Sequence, residues 1–325
     1  MIGLFRSLNP LNLVVLVIVA GLFRLGVYFN PPGNLNFSIF ESYASVLFNF
    51  SNQNLFSVES NLFFALVIVI IQAILFNRVI NEYNLLGKPS FLPALMYVTC
   101  SSLLTNFLVL TPALLCNFLM IWMLNKFLSI HRKESAQSTM FDLGMIIAVG
   151  TLLYLPFITM MLLLWICLLI FRPFNWREWI AGIIGFLTLY FFIAVAYYLT
   201  DSYQKLKNFE VPLAIEFKLT GINIYDYLVI VPVLFILFLS AISIQQKLYR
   251  SYVHIRKSYL MLFFVFIFSM LSFFITSKYQ VYHFLLAVPS IAVFMGFFFI
   301  SATKKWFYES LYLVLAGCII YFQFL

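Results

Sequence analysis

The sequence predicts an all-α membrane protein: a polytopic bundle of about eleven transmembrane helices, with a cytoplasmic N-terminus and an outer C-terminus. Of its 325 residues, 64% are hydrophobic and only 9% are charged, against about 25% charged residues in soluble domains. The mean hydropathy is +1.03. Apolar runs that approach the roughly 20 residues needed to cross a bilayer recur along the whole chain. These observations exclude a soluble enzyme, a disordered protein and a nucleic-acid-binding domain.

Eleven apolar segments are the candidate spans. They cover 11–29, 61–80, 91–110, 112–130, 140–155, 157–171, 179–199, 224–244, 259–276, 283–302 and 309–325. The first begins like a signal peptide, with Arg6 ahead of an apolar run, but Arg24 and Tyr28 continue it, which predicts an uncleaved helix. Pro112 and Pro156 mark two tight joins, because proline disfavours helix in the residue before it. Each join is either a hairpin turn or a kink, and a kink would change the count.

The distribution of basic residues predicts the direction of the chain. With a cytoplasmic N-terminus and alternating sides, fourteen of the nineteen lysines and arginines fall in inner segments and four in outer segments. This asymmetry is the one that the positive-inside rule requires. The whole chain, 1–325, is then a single integral membrane domain. Its longest loops are 30–60 and 200–223 on the outer side and the basic 245–258 on the inner side.

Two charged residues near the first outer loop are candidates for a functional site. Arg24 lies roughly 7 Å from the outer end of the first helix, where it either snorkels outward, pairs with Glu41 or holds an anionic headgroup. The stretch from Ser38 to Glu41 matches a capping box, and apolar residues follow at helical spacing. We therefore predict an amphipathic helix over 38–50 that lies on the membrane surface. Glu41 either caps this helix or is a catalytic base.

The late outer turn is a second candidate. Lys278 and His283 are placed to bind a phosphate, with Tyr279 and Tyr282 beside them. Pro289 falls inside the tenth predicted span, where a proline frees a backbone carbonyl and can open a pocket. The alternative is an ordinary hairpin whose histidine lies in the membrane interface.

The compact run 172–179 is basic and aromatic, and two interpretations fit it. It is either an interfacial turn, capped by Asn175 and Glu178, that anchors two helices, or a docking surface for a partner or an anionic lipid. The residues of the docking interpretation are Arg172, Trp176, Arg177 and Trp179. The three histidines and four cysteines are scattered, so no metal site and no cofactor are predicted. A divalent cation stays open.

Two resemblances add to these predictions. In its opening Met1–Pro10 and in the run 172–179 the chain resembles an uncharacterised family of bacterial polytopic inner-membrane proteins. That family implies a multi-pass protein of the bacterial inner membrane and no activity. The layout also resembles integral-membrane glycosyltransferases of the GT-C class, with Glu41 at the position of their loop acid and Lys278-Tyr279, followed by Pro289, at their late outer turn. Their usual acid is an aspartate, often within an acidic pair, whereas Glu41 stands alone.

The second resemblance implies a transferase of envelope glycan assembly that uses a polyprenyl-phosphate-linked sugar at the outer face. Glu41 would take a proton from the acceptor hydroxyl. Arg24, Lys278 and His283 would stabilise the leaving phosphate, and Tyr279 and Tyr282 would flank the lipid or the sugar. Two alternatives stay open. One is a non-catalytic membrane subunit of a larger envelope complex for secretion, motility or assembly, with membrane-protein partners. The other is a transporter or lipid flippase.

Overall fold

The computed structural model describes residues 1–29, 57–200, 228–248, 251–275 and 281–324. Within these ranges every regular element is helical and none is a strand, which confirms the all-helical prediction. The α-helices are α1 (Ile2–Phe5), α2 (Leu11–Leu22), α3 (Leu25–Phe29), α4 (Val58–Glu82), α5 (Leu92–Cys100), α6 (Pro112–Ser129), α7 (Gln137–Leu153), α8 (Met160–Phe171), α9 (Trp176–Leu199), α10 (Ile230–Leu248), α11 (Val253–Leu271), α12 (Val288–Ser301) and α13 (Lys305–Phe324).

Seven helical segments of the described part are long and apolar enough to cross a membrane. They are α4, α6, α9, α10, α13, the extended α11 (Val253–Phe274) and α12 with the turn before it (Val281–Ser301). Three further apolar segments are shorter: α2, α7 and Leu155–Phe171. The predicted count of eleven spans is therefore not confirmed. The 12 residues of α2 rise only about 18 Å, less than the thickness of the hydrocarbon core.

Helix starts follow the local chemistry of the sequence. Thr111 accepts a hydrogen bond from the backbone N–H of Leu114, and Pro112 opens α6 at a position where no N–H is needed. Asn175 accepts from the N–H of Arg177 at the start of α9. The sequence left the join at Pro112 as a turn or a kink, and in the structure one helix ends at Cys100 and the next begins at Pro112. The predicted cap at Asn175 is present.

Glycines set the closest helix crossing, between α7 and α9. A Cβ atom at Gly144 would lie 2.1 Å from the carbonyl oxygen of Gly182, and one at Gly185 would lie 2.2 Å from that of Phe141. The two backbones therefore touch, as small residues allow in membrane helices. Much of the remaining surface of α9 is exposed.

Four stretches of non-α backbone, most of whose residues are buried, lie together at one end of the bundle, and we call them the broken-helix layer. They are residues 101–111, which contain the 3₁₀ turn Thr105–Phe107, and the 3₁₀ helices Leu155–Thr159, Ser272–Phe274 and Val281–Ala287. The first and last of these contact each other, and Ser272–Phe274 contacts both Val281–Ala287 and Leu155–Thr159. Since α6 runs from this layer toward the basic segment after Ser129, the layer is at the predicted outer end. Irregular backbone is tolerated at membrane depth only inside protein or beside a cavity.

Candidate functional site

Polar side chains from neighbouring helices complete the hydrogen bonds of the broken-helix layer. Arg24 Nη1 donates to the carbonyl of Leu108 at 2.9 Å, and Asn61 Oδ1 accepts from the N–H of Leu110 at 2.9 Å. Asn117 Nδ2 donates to the carbonyl of Leu285 and Ser269 Oγ to that of Leu286, each at 3.0 Å. Gln323 Nε2 donates to the carbonyls of Phe23 and Ser102. These bonds explain why otherwise apolar helices carry these polar residues, since an unpaired buried backbone group is costly.

Two of the completed carbonyls lie four residues before a proline. In an α-helix the N–H of residue i bonds the carbonyl of residue i−4, and proline has no N–H. Pro289 therefore leaves the carbonyl of Leu285 without its helical donor, and Asn117 supplies one. Pro289 occupies the first turn of α12, whereas the sequence predicted it in the interior of a continuous span. Leu108 also lies four residues before a proline, Pro112, but residues 108–111 are not helical and Thr111 is extended. Arg24 therefore donates to a carbonyl of an irregular segment, not to one that a proline has freed.

Arg24 has more hydrogen-bonding capacity than its backbone contact uses. Its residue exposure is only 2%, so the guanidinium does not snorkel to solvent. Nη1 is bonded to Leu108, whereas Nε and Nη2 have no partner among the described residues. These two nitrogens share one edge of the planar guanidinium and form a fork of parallel donors. No acidic side chain of the described part forms an ion pair with Arg24.

Three residues on the elements that surround Arg24 also carry buried polar atoms that have no partner among the described residues. These are Asn61 Nδ2, Ser102 Oγ and Gln323 Oε1. Gln323 is bonded to the carbonyl of Phe23, the residue before Arg24, and Ser102 and Leu108 belong to the same irregular segment. We call Arg24, Asn61, Ser102 and Gln323 the Arg24 site.

Packing holds the elements of the Arg24 site together. Val27 of α3, Leu62 of α4 and the residues Leu108 and Val109 form a small apolar cluster. On the other side of α3, a Cβ atom at Gly26 would lie 2.6 Å from the Cβ of Gln323, so α3 and the end of α13 approach closely. The site is therefore walled by three helices and one irregular segment.

The late turn is part of the same layer. His283 is 1% exposed, its Nδ1 is hydrogen-bonded to the hydroxyl of Tyr154, and its ring lies 4.5 Å from that of Tyr282. The turn Thr105–Phe107, which immediately precedes Leu108, contacts the 3₁₀ helix that carries His283. The structure thus connects the Arg24 and His283 segments. Glu41, Lys278, Tyr279, the predicted helix 38–50 and, apart from its first residue, the predicted loop 200–223 lie outside the described residues.

The run 172–179 has a different arrangement. Arg172 Nε pairs with Glu178 Oε2 at 3.5 Å, and Arg172 Nη1 donates to the carbonyl of Lys133 at 3.0 Å. Glu178 Oε1 in turn accepts from the N–H of Ala136 at 3.0 Å. These bonds hold the start of α9 against the segment 133–136.

The aromatic residues of this run divide into two groups. Trp179 stacks on Trp165, with ring centroids 6.3 Å apart. Trp176 and Arg177 are exposed, and the guanidinium carbon lies 5.7 Å from the indole centroid. Arg172 and Trp179 therefore have intramolecular roles, and the docking prediction now depends on Trp176 and Arg177.

Cysteines, histidines and acids are dispersed in the described part of the chain. No three of them come close enough there to hold a metal ion. Cys100, Cys116 and Cys167 are free and buried, and Cys318 is free and half-buried.

Sequence reasoning selected Arg24, Tyr282 and His283 but missed Asn61, Ser102, Tyr154 and Gln323. A signal for two of them was present, since Asn61 and Gln323 are polar residues within or beside apolar runs. Such residues commonly mark a backbone break or a site in membrane proteins. What each one bonds could not be read from spacing, because Phe23 and Gln323 are 300 residues apart.

Comparison with known proteins identifies the family of the chain. A family model described as a family of unknown function, DUF6427, matches residues 36–325. The protein belongs to the DUF6427 family. This confirms the predicted membership of an uncharacterised family. No curated protein and no solved structure matched the chain, and the resemblance to GT-C glycosyltransferases receives no support. The DUF6427 match includes Asn61, Ser102 and Gln323 but begins after Arg24.

Proposed function

We propose that this DUF6427 protein binds an anionic, phosphate-bearing membrane lipid at the Arg24 site, as a step in cell-envelope biogenesis. The observation that carries the proposal is the buried guanidinium whose Nε and Nη2 have no partner among the described residues. A buried charge without a counter-charge costs several kcal/mol. An anion on the free edge would accept two parallel hydrogen bonds, which is the geometry in which arginine binds phosphate. At the end of a membrane helix the abundant anions are lipid headgroups.

The finer form of this proposal is a transferase that uses a polyprenyl-phosphate-linked sugar. Arg24 would then stabilise the negative charge that develops on the leaving phosphate. Glu41 would accept the proton of the acceptor hydroxyl. Lys278 and His283 would assist at the phosphate, and Tyr279 and Tyr282 would contact the lipid or the sugar. The contact between the turn that precedes Leu108 and the segment that carries His283 supports this grouping.

Lipid retention tests the binding proposal directly. The protein is extracted in mild detergent, and its bound lipids are measured by native mass spectrometry. We expect the wild type to retain a phosphate-bearing lipid and Arg24→Gln to lose it at least tenfold. The matched control is Arg78→Gln, which removes the same charge from an exposed position on α4. Equal retention by wild type and Arg24→Gln, at equal abundance, would contradict the proposal.

The second candidate is a non-catalytic subunit of a larger envelope complex. The exposed apolar surface of α9 and α10 favours it, since Phe191 and Phe192 are each 64% exposed and Phe238 is 65% exposed. A stoichiometric protein partner in the same mass spectra would support the subunit. Glu41→Gln separates it from a transferase: lost function at normal abundance indicates catalysis, whereas unchanged function at Glu41, Arg24 and Lys278 excludes it.

A further inference from the structure

We infer that the ligand of the Arg24 site carries a hydroxyl or amino group beside its phosphate. The site then recognises a polar headgroup rather than a bare phosphate. The inference rests on the proposed function above and deepens it. The inference comes from whether each buried atom of the Arg24 site that has no partner among the described residues can donate or accept a hydrogen bond. These atoms belong to Arg24, Asn61, Ser102 and Gln323.

The orientations of the two amides are fixed by their backbone partners. Gln323 Nε2 faces the carbonyl oxygens of Phe23 and Ser102, so a flipped amide would set Oε1 against two other oxygens. Asn61 Oδ1 accepts the N–H of Leu110, so its Nδ2 is the atom that points elsewhere. Gln323 therefore presents an acceptor, and Asn61 presents a donor.

The site then offers donors and an acceptor together. The donors are Arg24 Nε, Arg24 Nη2 and Asn61 Nδ2; the acceptor is Gln323 Oε1; and Ser102 Oγ can act as either. Phosphodiester oxygens only accept, so they satisfy the donors but would be repelled by Gln323 Oε1. A hydroxyl or ammonium group next to the phosphate would donate to that atom. Glycerol, ethanolamine and sugar headgroups all supply one.

The fold keeps the acceptor close to the guanidinium. Gln323 bonds the carbonyl of Phe23, which is the peptide group that leads directly into Arg24. The close approach at Gly26 leaves no space for a side chain between α3 and Gln323. We therefore expect a ligand on the free edge of Arg24 to extend to the amide of Gln323.

Two anionic phosphodiester lipids, one whose headgroup carries hydroxyls and one whose headgroup carries none, test the inference. Wild type, Arg24→Gln and Gln323→Leu are titrated with phosphatidylglycerol and with phosphatidylmethanol, a phosphodiester whose headgroup has no donor. We expect the wild type to bind phosphatidylglycerol about tenfold more tightly, the equivalent of one added hydrogen bond. In Gln323→Leu the preference should fall to about one, and in Arg24→Gln both lipids should bind at least tenfold more weakly.

The outcomes separate this inference from the proposed function. If the wild type shows no preference for phosphatidylglycerol, the inference is overturned. The proposed lipid binding still stands in that case when Arg24→Gln weakens the binding of both lipids. No effect of Arg24→Gln on either lipid overturns the proposed function. The comparison of the two lipids on the wild type stands even if Gln323→Leu does not fold. Soluble glycerol phosphate that competes as well as phosphatidylglycerol would overturn a lipid as the source of the headgroup.

Discussion

Two irregular segments of this protein each end at a proline, and in each a different side chain donates to a backbone carbonyl. At the neutral junction, Asn117 donates to the carbonyl of Leu285, four residues before Pro289. At the charged junction, Arg24 donates to the carbonyl of Leu108, four residues before Pro112. A neutral amide is enough for one carbonyl, so the buried charge at the second junction exceeds what the backbone needs. Asn117 Oδ1 and the free edge of Arg24 both have no partner among the described residues. The charge is therefore what distinguishes the charged junction, and it is what the proposed ligand would neutralise.

The largest expected effect tests whether the charge of Arg24 serves a ligand. Without lipid, Arg24→Gln removes a buried charge that lacks a counter-charge, so we expect the thermal stability in detergent to stay equal or to rise. With phosphatidylglycerol at a hundred times its dissociation constant, the wild type should gain about 2.7 kcal/mol through linkage, and the variant should gain almost nothing. Thermal unfolding with and without the lipid measures both quantities.

A purely structural arginine would give the opposite pattern. Arg24→Gln would then lower the stability in both conditions, and the lipid would stabilise the wild type and the variant equally. Arg78→Gln is the control, because it removes an exposed charge from α4 and should retain the full gain.

At the neutral junction the effect should lie in stability alone. Asn117→Leu leaves the carbonyl of Leu285 without a side-chain donor, at a cost of about 1–3 kcal/mol. The lipid-dependent gain should be unchanged. Trp122→Leu on the exposed side of α6 is the control, with an expected change within about 0.5 kcal/mol. A loss of lipid binding in Asn117→Leu would erase the distinction between the two junctions.

The sequence shows the proline of each junction but not the side chain that bonds its carbonyl. The apolar runs predicted an all-helical membrane protein, and Pro112, Pro156 and Pro289 marked three places where the helices break. The side chain that bonds each carbonyl could not be predicted, because Arg24 is 84 residues from Leu108 and Asn117 is 168 residues from Leu285. Such pairs depend on how the helices pack, which periodicity does not specify.

The number of spans is not confirmed, for a related reason. Hydropathy measures how apolar a run is, whereas crossing a bilayer depends on unbroken helix length. The run 91–110 is mostly apolar, yet its α-helix α5 ends at Cys100. In the run 172–179, composition alone did not show that Arg172 and Glu178 bond each other and the segment 133–136. Residue types predicted where polar chemistry lies, but not which groups it satisfies.

A double-mutant cycle tests whether Pro289 is the reason for Asn117. Alanine at position 289 restores a backbone N–H four residues after Leu285. We therefore expect Asn117→Leu to cost about 1–2 kcal/mol less in the Pro289→Ala background than in the wild type. The four unfolding free energies of the cycle give this coupling. If the effects of the two substitutions add to within about 0.3 kcal/mol, the hydrogen bond of Asn117 does not depend on Pro289, and the prediction is wrong.

The smallest expected effect comes from the next carbonyl along the chain. Ser269 donates to Leu286 at 3.0 Å, but the residue four positions later is Ser290, which has an N–H of its own. The carbonyl of Leu286 therefore keeps a potential backbone donor when the hydroxyl is removed. We expect Ser269→Ala to cost about 0.5–1 kcal/mol, less than Asn117→Leu under the same conditions. If Ser269→Ala costs as much, then helix packing rather than the missing N–H of proline sets the value of these bonds, and the charged junction loses its structural counterpart.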